Sequence, residues 1–212
     1  MRLCITLTWT EDTVMVPRGR STYSDDEIES IWVGGAPALN STVTLADYDP
    51  AWPALYEREA DRIRRALGER VRMLEHVGST AVPGLCAKPR IDILLVVPDS
   101  DDEDAYLPEL EDAGYYLVIR EPGDGHRALK GPDTDVNLHV YSPDSGEIER
   151  YLTFRDHLRA DAADRDLYAN TKRELAARTW AYIQHYADAK NDVVDEILRR
   201  ATARRELPEH RG

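Results

Sequence analysis

Seven consecutive residues, Ile91 to Val97, are apolar except for an aspartate at the second place, and Pro98 and Asp99 stop the run. A short, continuous apolar run bounded in this way reads as a strand buried on both faces, so the chain needs other strands beside it and helices above and below it. Side chains two apart in a strand share a face, which pairs Asp92 with Leu94 and Ile91 with Ile93. A carboxylate in such a strand asks for a chemical reason. Upstream lie Gly78 and Ser79, in the order His76-Val77-Gly78-Ser79-Thr80. A glycine followed by a small hydroxyl residue lets a turn approach phosphate oxygens with its N–H groups and an Oγ, with no side chain in the way. An aspartate on the next strand can then hold a divalent cation, Mg²⁺ or Mn²⁺, against the same phosphates. The same residues also make an ordinary turn, with Gly84 after Pro83 as loop punctuation.

The remaining pattern supplies the partners this strand needs. Trp52 to Leu67 carries apolar residues at helical spacing, and Gly68 is placed to cap it. Val71 to Val77 predicts a short strand before the glycine-serine turn, Asp102 to Ala113 a helix ending at Gly114, and Tyr115 to Arg120 a strand. Ala128 to Gly131 and Asp135 to Tyr141 predict two more, about a turn at Gly131 to Asp133. A short strand and turn are expected in the stretch beginning at Thr42. From Glu149 onward the chain reads as helical, with breaks near Asp161 and Asp188. The order predicts an α/β (α+β) domain with a mixed sheet backed by helices and a helical C-terminal segment.

Residues 1 to 41 stand apart as an extension, with a strand-like start at Leu3 to Trp9, an acidic patch at Ser24 to Ser30 and a Gly-Gly-Ala-Pro break; an added edge strand is the alternative. The core domain is expected over residues 42–205 and a tail over 206–212.

The formal charge of −13 argues against a polynucleotide partner, which calls for a basic face. Part of that charge is a block: Asp99 to Asp112 holds eight carboxylates and no base, the composition of a solvated loop and helix face. No apolar stretch is long enough to span a membrane, and the N-terminus lacks an apolar signal region. Cys4 and Cys86 are far apart and form no metal-ligand pair, so both are expected as free thiols of a cytoplasmic protein.

Several residues converge on the same chemistry. Asp135, Asn137 and His139 alternate with Val136, Leu138 and Val140, so the apolar set faces the core and the polar set projects together. If that strand neighbours Asp92, then Asp92, His139 and Asp135 are candidate metal ligands, and His139 or His76 a candidate general base; satisfied structural histidines are the alternative. Lys88 and Arg90 precede the strand within reach of phosphates held at the turn. Arg155 and Arg159, and Tyr168 and Lys172, are pairs four apart that share helix faces. They form either a cationic ridge facing an anion site or a buried ion-pair network.

The string from His76 to Val97, with GSTAVPG, then KP, then ID, resembles the GrpB family of the nucleotidyltransferase superfamily. The resemblance runs from about Thr42 to Ala203. It takes in Leu138-His139-Val140, the FRD-x-LR string at Phe154 to Arg159, Tyr168-x-x-x-Lys172, and Lys190 in a matching Asp-Ala-Lys. It implies a nucleotidyltransferase-like fold whose phosphate-binding residues are Gly78, Ser79, Lys88, Arg155, Arg159 and Lys172, with Asp92, His139 and His76 catalytic; Arg90 falls at a more variable place of the family pattern and is a phosphate-binding candidate by its position alone. The implied activity is divalent-metal-dependent transfer of a nucleotidyl group from a nucleoside triphosphate to a small acceptor. The superfamily's two-metal chemistry uses a second carboxylate where this chain has Leu94. That departure keeps two other readings open: an accessory module binding a phosphate- or CoA-like ligand, and a biosynthetic enzyme acting on a small anionic metabolite. A small anionic or nucleotide ligand is the expected partner throughout.

Overall fold

The computed structural model describes residues 22–121 and 125–206. Its centre is a five-stranded sheet in the order β2-β3-β6-β5-β4, built from β2 (Met73–Val77), β3 (Ile91–Val96), β4 (Tyr116–Glu121), β5 (His126–Lys130) and β6 (Val136–Tyr141). Only the β3–β6 pair is parallel. β3 lies inside the sheet with Ile93, Leu94 and Leu95 wholly buried, as its unbroken apolar run predicts. The mixed sheet backed by helices is the fold class expected from the sequence.

Two helical layers cover the sheet. On one face Ile91, Ile93 and Leu95 join Val136, Leu138 and Val140 against α2 (Trp52–Leu67) and α3 (Leu107–Asp112). α2 forms because Trp52, Tyr56, Ala60, Ile63 and Leu67 recur at three- and four-residue intervals and are all buried, and Gly68 at φ 54° stops it. On the opposite face Leu94, Val77 and Tyr141 pack with Ile148, Tyr151 and Leu152 of α4 (Gly146–Ala160). α5 (Ala162–Ala176) and α7 (Asn191–Glu206) extend this layer: Leu158, Tyr168, Ala169 and Ile197 enclose Val82, Leu85 and Cys86 of the loop that follows the glycine-serine turn. Cys86 is a buried free thiol, whereas Cys4 lies outside the described residues.

Several elements differ from the sequence reading. The acidic patch at Ser24 to Ser30 is a helix, α1 (Asp25–Ile31), because Ser24 and Glu27 form a reciprocal capping box and Ile28 is wholly buried. β1 (Ala38–Ser41) pairs with β7 (Trp180–Tyr182), which interrupts the expected helical tail where three consecutive residues include two bulky aromatics; α6 (Ile183–Asp188) follows. The expected strand after Thr42 is one bridge, Ala46 with Ala87, which ties that segment to the loop before β3. The expected helix at Asp102 to Ala113 is a turn at Glu103–Ala105 followed by α3, since Pro108 lacks an N–H and is tolerated only in a first turn. The strand expected at Leu3 to Trp9 lies outside the described residues. Among the described residues, no helix is long and apolar enough to cross a membrane.

Candidate functional site

β2 ends at Val77 and the chain turns at Gly78, φ 69° and ψ −169°, into a helical turn over Ser79–Ala81. A Cβ at Gly78 would lie 2.4 Å from Oδ2 of Asp92, so turn and carboxylate are packed as one unit that only glycine allows. Two α4 arginines clamp the turn from behind: Arg155 donates to the carbonyl of His76 at 2.9 Å and Arg159 to that of Ala81 at 2.9 Å. Arg155 also pairs with Glu75 at 2.7 Å and Asp156 at 2.8 Å.

Sheet register then assembles the polar groups. Asp92 sits beside Asn137 and Leu94 beside His139, so all four project from the same face of the parallel pair. Asn137 donates to Oδ1 of Asp92 at 2.6 Å and accepts from Lys130 at 2.6 Å, which fixes which way its amide points. Nε2 of His139 stands 3.9 Å from the same Oδ1. Burial works to raise the Asp92 carboxyl, but the polar and charged groups around it, the Asn137 donor and Lys88 among them, outweigh it and hold the group below its ordinary range. Burial, with Arg90 nearby, pushes Lys130 down to about 8.

These groups border a cavity of about 280 Å³ lined by the glycine-serine turn, Lys88, Arg90, Asp92, Asn137 and His139, and by residues of α4 to α7. Its distinguishing feature is a cluster of three lysines. Lys172 donates to Ser79 Oγ at 3.0 Å and to the carbonyl of Cys86. Lys190 donates to the carbonyl of Tyr186 at 3.0 Å, and its ammonium lies 3.9 Å from the Tyr186 ring centre. Lys88 faces the same ring at 5.7 Å. Among the described residues none of the three forms an ion pair with a carboxylate. Burial depresses all three: Lys88 downward, Lys172 to about 8, and Lys190 furthest because Lys88 and Lys172 also repel its charge. The hydroxyl of Tyr186 is buried and has no hydrogen-bond partner among the described residues. Three desolvated ammoniums beside Asp92 form a trap for a polyanion, whose oxygens would supply further counter-charge. Tyr151, Phe154, Leu158 and Val194 give the cavity an apolar end as well.

Of the residues singled out from sequence, Gly78, Ser79, Lys88, Arg90, Asp92, His139 and Lys172 line this cavity. Asp135 lies next to it, paired with Arg90 at 2.6 Å. His76, Arg155 and Arg159 lie behind the turn, lining a separate concavity with Tyr48, Tyr56 and Arg165. His76 faces away because its strand partner is Ile93, not Asp92. It contacts Thr80 at 3.0 Å and stacks on Tyr56 at 4.9 Å, and burial above all, with Arg159 and Arg155 alongside, pushes it down to about 4. Lys190, Tyr186 and Asn137 are site residues the sequence reading gave no role. A signal for the first two existed: Tyr186-x-x-x-Lys190 repeats the spacing of Tyr168-x-x-x-Lys172.

The donor set does not suit a divalent cation held by the chain. Asp92 is engaged by Asn137 and pressed on Gly78, Asp135 is taken by Arg90, and the flanking groups are ammoniums. Among the described residues, the one convergent trio of metal-type ligands is His157, Asp161 and Asp164 at the α4–α5 junction. There His157 meets Asp164 at 2.6 Å, and Arg200 and Arg204 already pair with the two aspartates.

Fold and site together define an α+β protein with a lysine-lined cavity beside a glycine-serine turn. Residues 42–200 match the GrpB protein family, and the chain belongs to that family. It is similar to a UPF0157 protein of Halalkalibacterium halodurans, 57% identical over 85% of this chain and 93% of that protein. The crystal structure of the conserved protein GrpB from Enterococcus faecalis matches with a TM-score of 0.68 and 31% identity, over 77% of this chain and all of that one. A dephospho-CoA kinase of Mycolicibacterium paratuberculosis is 29% identical over 75% of this chain and 46% of its own length.

Proposed function

We propose that the chain binds the phosphate chain of a nucleoside triphosphate in the lysine-lined cavity and transfers the nucleotidyl group to a small acceptor. The observation that carries this reading is the cluster of buried Lys172 with half-buried Lys88 and Lys190, which line one cavity with Asp92 and, among the described residues, pair with no carboxylate. Phosphoryl and nucleotidyl transfer need chiefly positioning and charge stabilisation, and three fixed ammoniums supply both. Gly78 and Ser79 bring backbone and Oγ to the phosphate oxygens. Lys172, held by Ser79, and Lys88 and Lys190, held against Tyr186, neutralise charge that shifts toward the leaving pyrophosphate. Asp92, oriented by Asn137, lies beside the attacking group. The apolar end with Tyr151 and Phe154 receives the nucleoside. Arg155, Arg159 and His76 act from behind by holding the turn in shape.

Binding is tested by thermal shift with inorganic triphosphate, nucleoside triphosphates and CoA, each in chelator and in Mg²⁺. A ligand present at a hundredfold excess over its dissociation constant stabilises by about 2.7 kcal/mol. The expected result is stabilisation by triphosphate groups that persists in chelator, because the lysines provide the charge. Phosphorus NMR of a stabilising nucleotide with candidate acceptors then reports pyrophosphate release. No stabilisation by any triphosphate rejects the reading.

Leu94 favours a second reading. It is buried under α4 where a second carboxylate would stand, and the dephospho-CoA kinase likeness covers under half of that protein. In this reading the cavity holds a phosphate-bearing, CoA-like ligand without turnover. Stabilisation by CoA above that by triphosphates, with no pyrophosphate released, supports it.

A further inference from the structure

One wall of the cavity leads to a line of polar groups that phosphate binding does not use. Glu121 ends β4 and His126 begins β5, directly opposite each other in the antiparallel pair. His126 is 4% exposed, stacks on Tyr141 with ring centres 4.8 Å apart, and meets one carboxylate oxygen of Glu121 through Nδ1. Tyr23 donates its hydroxyl to the other. Beyond His126, its Nε2 lies 3.0 Å from Nδ1 of His139. His139 lines the cavity, and its own Nε2 is the atom 3.9 Å from Asp92 Oδ1.

Counting donors places the protons. The Glu121 carboxylate accepts at both oxygens, so Nδ1 of His126 carries a hydrogen. In a neutral imidazole the other nitrogen is then an acceptor, so Nδ1 of His139 must donate to it. Nε2 of His139 is left with a free lone pair. Two acceptors, that nitrogen and Asp92 Oδ1, therefore face each other across a gap too long for a hydrogen bond. The gap is stable with a proton donor beside it. A neutral hydroxyl fits, whereas a protonated amine is repelled by Lys88, Lys172 and Lys190.

We infer that Glu121, His126 and His139 form a proton relay that makes Nε2 of His139 the base toward a hydroxyl-bearing acceptor, with Tyr23, Glu121 and His126 as positioning residues. The inference rests on the nucleotidyl-transfer reading only for what the hydroxyl attacks. In that step the acceptor oxygen bonds to the α-phosphorus while the bond from that phosphorus to the oxygen bridging to the β-phosphate breaks, and pyrophosphate leaves. The hydroxyl proton passes to Nε2 of His139. Nδ1 of His139 gives its proton to Nε2 of His126, and the resulting imidazolium rests against the Glu121 carboxylate. Tyr23 lies ahead of the residues matched to the family, so the segment before the shared domain completes the relay.

The tautomers are read directly by two-bond proton–nitrogen correlation on the full, nitrogen-15-labelled chain without ligand, at about pH 8, above the ordinary histidine range. His139→Gln assigns the His139 signals by their loss. The expected wild-type spectrum shows His139 protonated at Nδ1 and bare at Nε2. His126→Phe keeps a ring on Tyr141 but offers no acceptor, and the expected result is a shift of His139 to the Nε2–H tautomer. Should the phenylalanine prevent folding, Glu121→Gln is the substitute: its amide can donate to Nδ1 of His126, which frees Nε2 to carry the proton and shifts His139 in the same direction. An Nε2–H tautomer of His139 in the wild type overturns the relay, as does an Nδ1–H form unchanged by the substitution. Because no nucleotide is present, this result is separate from the outcome of the triphosphate screen.

Discussion

The carboxylate of Asp92 stands against Gly78 so closely that a Cβ added to the glycine would meet Oδ2 at 2.4 Å, on a backbone with φ at +69°. Gly78→Ala therefore combines a left-handed backbone strain with a clash on the half-buried Asp92 carboxylate. The expected cost is about 2 kcal/mol or more of stability together with loss of triphosphate binding, read by denaturant unfolding and calorimetry. A cost near zero would mean the turn relaxes freely and does not shape the cavity.

Lys190 is half-buried among like charges, with a carbonyl and a ring as its partners among the described residues. Lys190→Met should raise the melting temperature of the ligand-free chain, because a partly desolvated ammonium crowded by like charges is replaced by an apolar side chain of similar length. The same substitution should weaken inorganic triphosphate binding at least about tenfold, equivalent to about 1.4 kcal/mol. Unchanged affinity in the variant would place the anion elsewhere.

Lys172 titrates near 8 in the folded chain and near 10.5 when free of the fold. Between those values the unfolded chain holds a proton that the folded chain has released, so the stability contributed by this group rises with pH across that window. A bound polyanion restores the proton. Triphosphate affinity should therefore fall as pH rises past about 8, with proton uptake on binding visible as a buffer-dependent enthalpy. A flat affinity from neutral to strongly alkaline pH would contradict this assignment.

His76, pushed down to about 4 from 6.5, works in the acid range. Between those values the unfolded chain binds the proton and the folded chain does not, so stability drops as pH falls from 6.5 toward 4. The loss is on the order of 2–3 kcal/mol. In His76→Gln that part of the pH dependence should be absent from unfolding curves taken across the window. Its persistence would assign acid sensitivity to other groups.

Arg155 ties Glu75, Asp156 and the His76 carbonyl to α4. Arg155→Ala should cost about 2–3 kcal/mol, since it leaves a buried carbonyl and the Glu75 carboxylate without this donor and Asp156 with Arg159 alone. Arg155→Lys should recover only part, because an ammonium lacks the planar fork that reaches several acceptors at once. Full recovery by lysine would mean that the ion pairs, rather than the fork held on the turn, carry the effect.

Much of the fold was legible in the sequence because it is written in periodicity. α2 and its glycine stop follow from apolar spacing, and the alternation in β6 sorts Val136, Leu138 and Val140 from Asn137 and His139. α1 and β7 were less legible because their partners are distant in sequence: Ile28 is buried only by tertiary contacts, and β7 exists only beside β1. The site divides in the same way. Gly78, Ser79, Asp92 and Lys172 carry local motifs. Register decides that His76 turns away from Asp92 while Asn137 reaches it, and a pairing between strands some forty residues apart leaves no local trace.

By itself the sequence determined that this chain builds a mixed sheet around the buried strand Ile91–Val96, with a glycine-serine turn and an aspartate at its entrance, since local dihedral preference and hydrophobic spacing suffice for that. Tertiary structure alone decided that Lys88, Lys172 and Lys190 meet in one cavity, and that Glu121, His126 and His139 stand in line. These groups repel one another or need exact neighbours. Only the packing of α4 to α7 against the turn, and the pairing of β4, β5 and β6, supplies the energy that holds them together.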